Sequence, residues 1–279
     1  MRRIGFAFNP TQAASPELRE RALEWCRANG VEAWAAPAGE APDDTALLAD
    51  TDAVVVLGGD GTFLRAARSV ADLGLPILGI NLGKVGFLSK AEHQDLAAVL
   101  AQLKAGDYEL EPRLMLEARV VPGSGGTPGE TCIALNEAAI VRGAHARVMR
   151  LVVDVGDSRV ATYVCDGVVV ASPTGSTGYS FSAGGPIIEP TSRNLVVTPI
   201  AAYLTPLRST VVGPQHVVSV RVEAAHDALV SIDGRDEFPL EVGDRVEVCA
   251  REQPIDFIQP RGALPFWDLL RKKASLLPA

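Results

Sequence analysis

The chain has 279 residues, 47% of them hydrophobic and 22% charged, with a net charge of −8. This is the composition of a folded protein of about two domains, and its acidity excludes a general binder of nucleic acid or acidic membranes while allowing a local basic pocket. No apolar run approaches the roughly 20 residues of a membrane span, and Cys26, Cys132, Cys165 and Cys249 lack Cys-x-x-Cys spacing, so reduced thiols in a cytoplasmic protein are expected rather than zinc or disulfides.

Asn9-Pro10 ends the first apolar run too early for a signal peptide, so Ile4 to Phe8 reads as a strand. Ser15-Pro16-Glu17 opens a helix, with Ser15 as N-cap and Pro16 in the first turn, and Asn29-Gly30 closes it. Val31 to Ala35 is a second strand candidate, followed by a Pro- and Asp-rich loop. Ala53 to Leu57 is a continuous apolar run, as in a buried parallel strand, and it breaks into Gly58-Gly59-Asp60-Gly61-Thr62. A helix over Thr62–Asp72, a strand over Pro76–Ile80, a tight Gly-rich loop over Gly79–Leu88 and a helix over Glu92–Lys104 follow. Strands alternating with helices predict a parallel, doubly wound sheet, with ligands gathering at the strand ends where Asn9 and Asp60 fall.

After Gly106 the rhythm becomes β. Leu114–Val121, Cys132–Val141, Val148–Val155, Val160–Tyr163, Val168–Ser172, Val217–Val222, Ala228–Ile232 and Arg245–Cys249 read as short strands, and Pro122 to Glu130 as a hairpin tip. Phe266 to Leu277 reads as a terminal helix with an apolar face. The expected organisation is an α/β domain over 1–106, an all-β domain of layered sheets over 107–258, and a segment over 259–279 whose helix packs back on the first domain.

Three stretches carry chemistry. Glycines let the backbone approach a ligand, and a helix N-terminus suits phosphate. Asp60 is an acid where anions should bind, which makes sense if it handles a proton or a metal during phosphoryl transfer; a turn with a helix cap is the equal alternative. The turn is neither the P-loop nor the dinucleotide fingerprint. Asn136-Glu137 interrupts an apolar strand, so one of the two side chains faces inward or into a cleft unless the strand is an exposed edge. Asp166-Gly167 is a hairpin turn or a site. Ser172 to Pro186 is dense in hydroxyls and glycine with Tyr179 and Phe181; hydroxyls and amides suit phosphate and sugar edges, and a ring can stack on a base.

Gly58-Gly59-Asp60-Gly61-Thr62, Asn136-Glu137 and Thr174 to Pro186, in this order and spacing, resemble the NAD kinases, and Gly79 to Leu88 is similar to that family's Gly-x-Asn-x-Gly-x-x-Gly-Phe-Leu segment. The resemblance runs from Ile4 to about Pro260. It implies phosphorylation of the adenosine-ribose 2′-hydroxyl of NAD by ATP or polyphosphate, giving NADP. Asp60 would be the general base. Gly58, Gly59, Gly61 and Thr62 would hold phosphate, with Arg65 one turn on. Asn136 and Glu137 would bind ribose, and Arg147 would lie near the dinucleotide phosphates. Asp166 would meet the nicotinamide side. Thr177, Gly178, Tyr179, Ser180, Phe181 and Ser182 would line the adenosine. Arg235 stands where the family often has Gln, and Tyr203 where a His is frequent, so those contacts depart from the pattern. No carboxylate or His cluster forms a protein-built metal site, so Mg2+ would arrive with ATP. The resemblance also implies a homodimer or homotetramer, the usual states of family members, in which some sites borrow residues from a neighbour.

Two other classes share part of the signal. Diacylglycerol and sphingosine kinases carry a similar Asp turn but need an apolar acceptor site and often a membrane-facing segment, which is not evident. A non-catalytic dinucleotide sensor would lack the acid at position 60.

Overall fold

The computed structural model describes residues 1–12, 14–40, 48, 50–83, 86–144, 147–203 and 205–274. The Pro- and Asp-rich loop over 41–47, Lys84 and Val85 of the Gly-rich segment, and Ser275 to Leu277 of the expected last helix fall outside these. Two compact units form: Met1–Pro112 with Pro254–Ala279, and Arg113–Gln253.

The first unit begins β1 (Arg3–Phe8), α1 (Ser15–Ala28), β2 (Glu32–Pro37), β3 (Ala53–Leu57), α2 (Asp60–Val70), β4 (Ile77–Asn81), β5 (Ser89–Glu92), α3 (Leu96–Ala105) and β6 (Tyr108–Arg113). The expected N-cap of α1 is corrected. Ala14 occupies that position, already with helical backbone angles and no side-chain cap, and Ser15 lies inside the helix with its side chain fully buried, so its hydroxyl is turned to the interior rather than back to the first-turn N–H groups. Helix α2 starts at Asp60, two residues before the sequence reading, with Gly59 as N-cap in extended conformation. The expected loop over Gly79–Leu88 starts later, since Gly79 to Asn81 complete β4.

The second unit contains β7 (Leu116–Val121), β8 (Cys132–Ala134), β9 (Glu137–Arg142), β10 (Met149–Val155), β11 (Ser158–Cys165), β12 (Gly167–Ala171), the short helix α4 (Tyr179–Ser182), β13 (Leu195–Ile200), β14 (Thr210–Val212), β15 (Val218–Ala224), β16 (Ala228–Ile232), β17 (Asp236–Leu240) and β18 (Arg245–Ala250). These build two six-stranded sheets, ordered β11-β10-β15-β18-β7-β8 and β14-β13-β12-β9-β16-β17. The strand pairs β10–β15, β15–β18, β12–β13, β12–β9 and β16–β9 are antiparallel, and inward residues of both sheets, among them Leu151, Val220, Val248, Ile140, Val170 and Val230, share one core. The expected single strand Cys132–Val141 is two, β8 and β9, broken at Leu135-Asn136 and shared between the two sheets.

The chain then returns to the first unit with β19 (Ile255–Pro260) and α5 (Phe266–Ala274). The completed sheet runs β2-β1-β3-β4-β19-β6, with β5 on β4. Strands β1, β3 and β4 pair in parallel. Helices α1 and α3 cover one face through Leu18, Ala22, Leu100 and Leu103. Phe63 of α2 meets Phe257 across the other face, with ring centroids 4.8 Å apart. With both faces covered, β3 and β4 are buried at every residue, which is why they read as unbroken apolar runs.

Candidate functional site

The singled-out residues fall into two clusters, one in each unit. In the first, β3 ends at Leu57, the backbone turns through Gly58-Gly59, and Asp60 opens α2. By helix geometry the N–H groups of Asp60 and Gly61 have no intrahelical acceptor, whereas those of Thr62 and Phe63 donate to the Gly59 carbonyl. Asp60 does not cap its own helix. Its carboxylate accepts from the backbone N–H of Phe87 at 3.0 Å and of Leu88 at 3.3 Å. Gly86 comes so close that a Cβ there would overlap the Asp60 carboxylate. Gly58 is packed against Thr62, yet among the described residues Cβ atoms added at Gly59 or Gly61 would meet nothing within 4 Å. Neither residue has a positive φ, so neither packing nor backbone conformation requires a glycine there, and the space beside both is open to solvent. Arg65, one turn on, has a buried Nε without a hydrogen-bond partner among the described residues.

In the second unit Asn136 precedes β9 and Glu137 opens it; β9 lies between β12 and β16 and is therefore no edge strand. The turn is built by Asp233, a residue missed in the sequence. Its carboxylate accepts from the backbone N–H of Leu135 (2.9 Å), Asn136 (2.8 Å) and Glu137 (3.0 Å). Asp233 itself has a φ of 50°, one of the left-handed positions Asp tolerates, in the hairpin that joins β16 to β17. The Asp233-Gly234 turn pair was the one available signal. Glu137 is 8% exposed. Burial first, and the nearby Asp233 charge second, push its carboxyl up to about 8, against a backbone hydrogen bond from Tyr179. At neutral pH the group is mostly protonated and can donate as well as accept. Its Oε2 and the Asn136 Oδ1 are buried without partners among the described residues, atoms whose burial costs about 1–3 kcal/mol each unless a ligand pairs them.

The hydroxyl-rich segment is a 3-10 turn, Thr174–Thr177, followed by α4. Most of its hydroxyls hold the segment rather than face out. Ser172 Oγ donates to the Leu135 carbonyl, Ser176 Oγ to that of Pro173, and Thr177 Oγ1 to that of Thr174. Ser180 is fully buried and pairs with Thr198 at 3.0 Å, so it supports the site and does not line it. Gly178 places its backbone beside Glu137, Ser182 is exposed, and the rings of Tyr179 and Phe181 are 42% and 52% exposed. Arg235 is exposed next to Asp233.

Arg147 and Asp166 are not brought to this cluster. Glu137 registers with Ala171, at the far end of β12 from Asp166. At ~3.3 Å per residue the separation along the strand is about 16 Å. Asp166 sits at a crossover between the two sheets, not in a hairpin, and forms a 3.0 Å ion pair with Arg142. Arg147 is exposed in the loop leading into β10, and Tyr203, 68% exposed, is tied by its N–H to the Val164 carbonyl at that same end.

A carboxylate fixed at the head of an anion-receptive turn is the equipment of a phosphoryl-transfer enzyme. Two family models match: the ATP-NAD kinase N-terminal domain over residues 44–108 and the ATP-NAD kinase C-terminal domain over residues 135–260. An NAD kinase of Symbiobacterium thermophilum is 47% identical over 227 residues, 81% of this chain and 79% of the relative. One of Heliobacterium modesticaldum is 37% identical over 97% of both chains. Among solved structures, an NAD kinase from Archaeoglobus fulgidus in complex with ATP superposes with a TM-score of 0.73 at 27% identity, covering 99% of this chain and 100% of that one. The yeast NADH kinase complexed with NADH shares the fold, with a TM-score of 0.82 at 22% identity over 99% of this chain and 87% of that one. The chain belongs to the NAD kinase family and is an enzyme of that kind. The lipid-kinase and sensor readings are not favoured.

Proposed function

We propose that the chain transfers the terminal phosphoryl group of ATP or polyphosphate to the adenosine-ribose 2′-hydroxyl of NAD. The supporting observation is the Asp60 carboxylate, held by two backbone N–H groups beside glycines that leave clearance on the ligand side. Asp60 accepts the hydroxyl proton as the ribose oxygen bonds to phosphorus and the bond to the leaving phosphate oxygen breaks. The first-turn N–H groups at Asp60 and Gly61, with Thr62 and Arg65, hold phosphate oxygens. Asn136 and Glu137 bind the ribose, and Tyr179 and Phe181 offer exposed faces to the base. Magnesium belongs to the donor substrate, carried on its phosphates, where it offsets charge. The free thiols and the nucleotide substrates suit the cytoplasm.

We also infer a homodimer or homotetramer, in which a second copy presents Asp166 and Arg147. Their place at the opposite end of β12 from Glu137 supports this. If so, mixing inactive Asp60→Asn chains with inactive Asp166→Ala chains restores part of the activity.

The test is purified protein with magnesium, NAD or NADH, and ATP or polyphosphate, following NADP(H). Asp60→Asn should bind NAD normally by calorimetry and lose about 100-fold or more in turnover. Near-normal turnover in that variant ends the general-base assignment.

A further inference from the structure

We propose that the C-terminal helix α5 is a positioning element for Asp60, acting through Phe87; this rests on the reading of Asp60 as the base. Asp60 takes its orientation from outside its helix, from the N–H groups of Phe87 and Leu88. The Phe87 backbone carries one of those donors while its side chain meets α5. The Phe87 and Phe266 ring centroids are 6.5 Å apart, tilted by 44°. Lys273 Nζ lies 4.5 Å from the Phe87 ring centroid. Phe266 and Lys273 are seven residues apart, two helical turns, and so share one face of α5. Trp267 braces Phe266 edge-on at 5.0 Å, and Leu269, 3% exposed, anchors the helix. One residue therefore joins the helix to the carboxylate. Gly86, immediately before it, touches that same carboxylate, so a shift of this segment moves Asp60. A displacement of about 1 Å at a reacting group can cost on the order of 100-fold in rate.

The test is a double-mutant cycle with an exchange measurement. Phe266→Ala should lower kcat about five- to tenfold, with KM for NAD and ATP within about twofold, and Phe266→Tyr should restore it. In the Asp60→Asn background the same Phe266→Ala change should alter kcat less than about twofold, because the group it positions is gone. Amide hydrogen exchange at Phe87 and Leu88 should quicken in Phe266→Ala, while that of β3 stays unchanged. An equal loss in both backgrounds, a KM effect with kcat intact, or unchanged exchange at Phe87 and Leu88 overturns the proposal. Asp60→Asn measured alone judges the base assignment separately, and the exchange result stands whichever way that falls.

Discussion

Asp233 and Glu137 bind each other's backbone in both directions. The Glu137 N–H donates to the Asp233 carboxylate at 3.0 Å, and the Asp233 N–H donates to the Glu137 carbonyl at 3.0 Å. A hairpin tip thereby holds the start of β9, and with it the polar pair at the break between β8 and β9.

Asp233→Ala removes the acceptor of three consecutive N–H groups and leaves a Cβ-bearing residue at positive φ. Hydrogen bonds to charged groups are worth about 1.5–3 kcal/mol each, and part of that is recovered through water. The expected loss of stability is about 2–4 kcal/mol by denaturant melts, with KM for NAD raised at least about tenfold. Asp233→Asn, which tolerates the same backbone and keeps an acceptor oxygen, should fall between.

Glu137 makes stability depend on pH. Its ordinary value is 4.5 and the folded value about 8, so between those limits the folded chain holds more protons than the unfolded one. Stability then falls as pH rises through that window. Glu137→Gln removes the ionisation. It should match wild type near pH 4.5 and exceed it by about 2–4 kcal/mol near pH 9. Parallel thermal melts across that range check it.

Two glycines of the Asp60 cluster should respond in opposite ways. Gly59→Ala adds a methyl to open space at permitted dihedrals, so the melting temperature should stay within about 2 °C while affinity for ATP drops at least about tenfold. Gly86→Ala drives a methyl into the Asp60 carboxylate. It should cut kcat by about 100-fold with a smaller effect on ATP affinity. Melts with calorimetry on both variants separate the two outcomes.

Much of this was legible in the residues. The Ala53–Leu57 run, the Asp60 turn, the β rhythm after Gly106 and the Asn136-Glu137 break were visible because each is written in consecutive positions. What stayed hidden is carried by the backbone across long stretches of chain. Nothing in Phe87 or Leu88 announces that their N–H groups serve an acid 27 and 28 residues earlier. Asp233 looks like any Asp-Gly turn until its hairpin pairs with β9. Ser180 reads as a ligand-facing hydroxyl because burial, which turns it toward Thr198, is a tertiary fact. Six strands are absent from the sequence reading: Ser89–Glu92, Tyr108–Arg113, Leu195–Ile200, Thr210–Val212, Asp236–Leu240 and Ile255–Pro260; Tyr108–Arg113 and Asp236–Leu240 mix charge with a proline, and the others are short runs placed by the sheets they join.

The insertion of β19 between β4 and β6 has a consequence for biosynthesis. A ribosome releases the whole of Arg113–Gln253 before Ile255–Pro260 emerges, so the continuous β unit has its strands in hand first. Until that later strand arrives, β6 lacks the strand it pairs with among the described residues, and Phe63 has no Phe257 to stack on. The half of the molecule translated earliest is thus the half completed last, and a nascent chain stalled before residue 255 would carry Asp60 on an unfinished sheet.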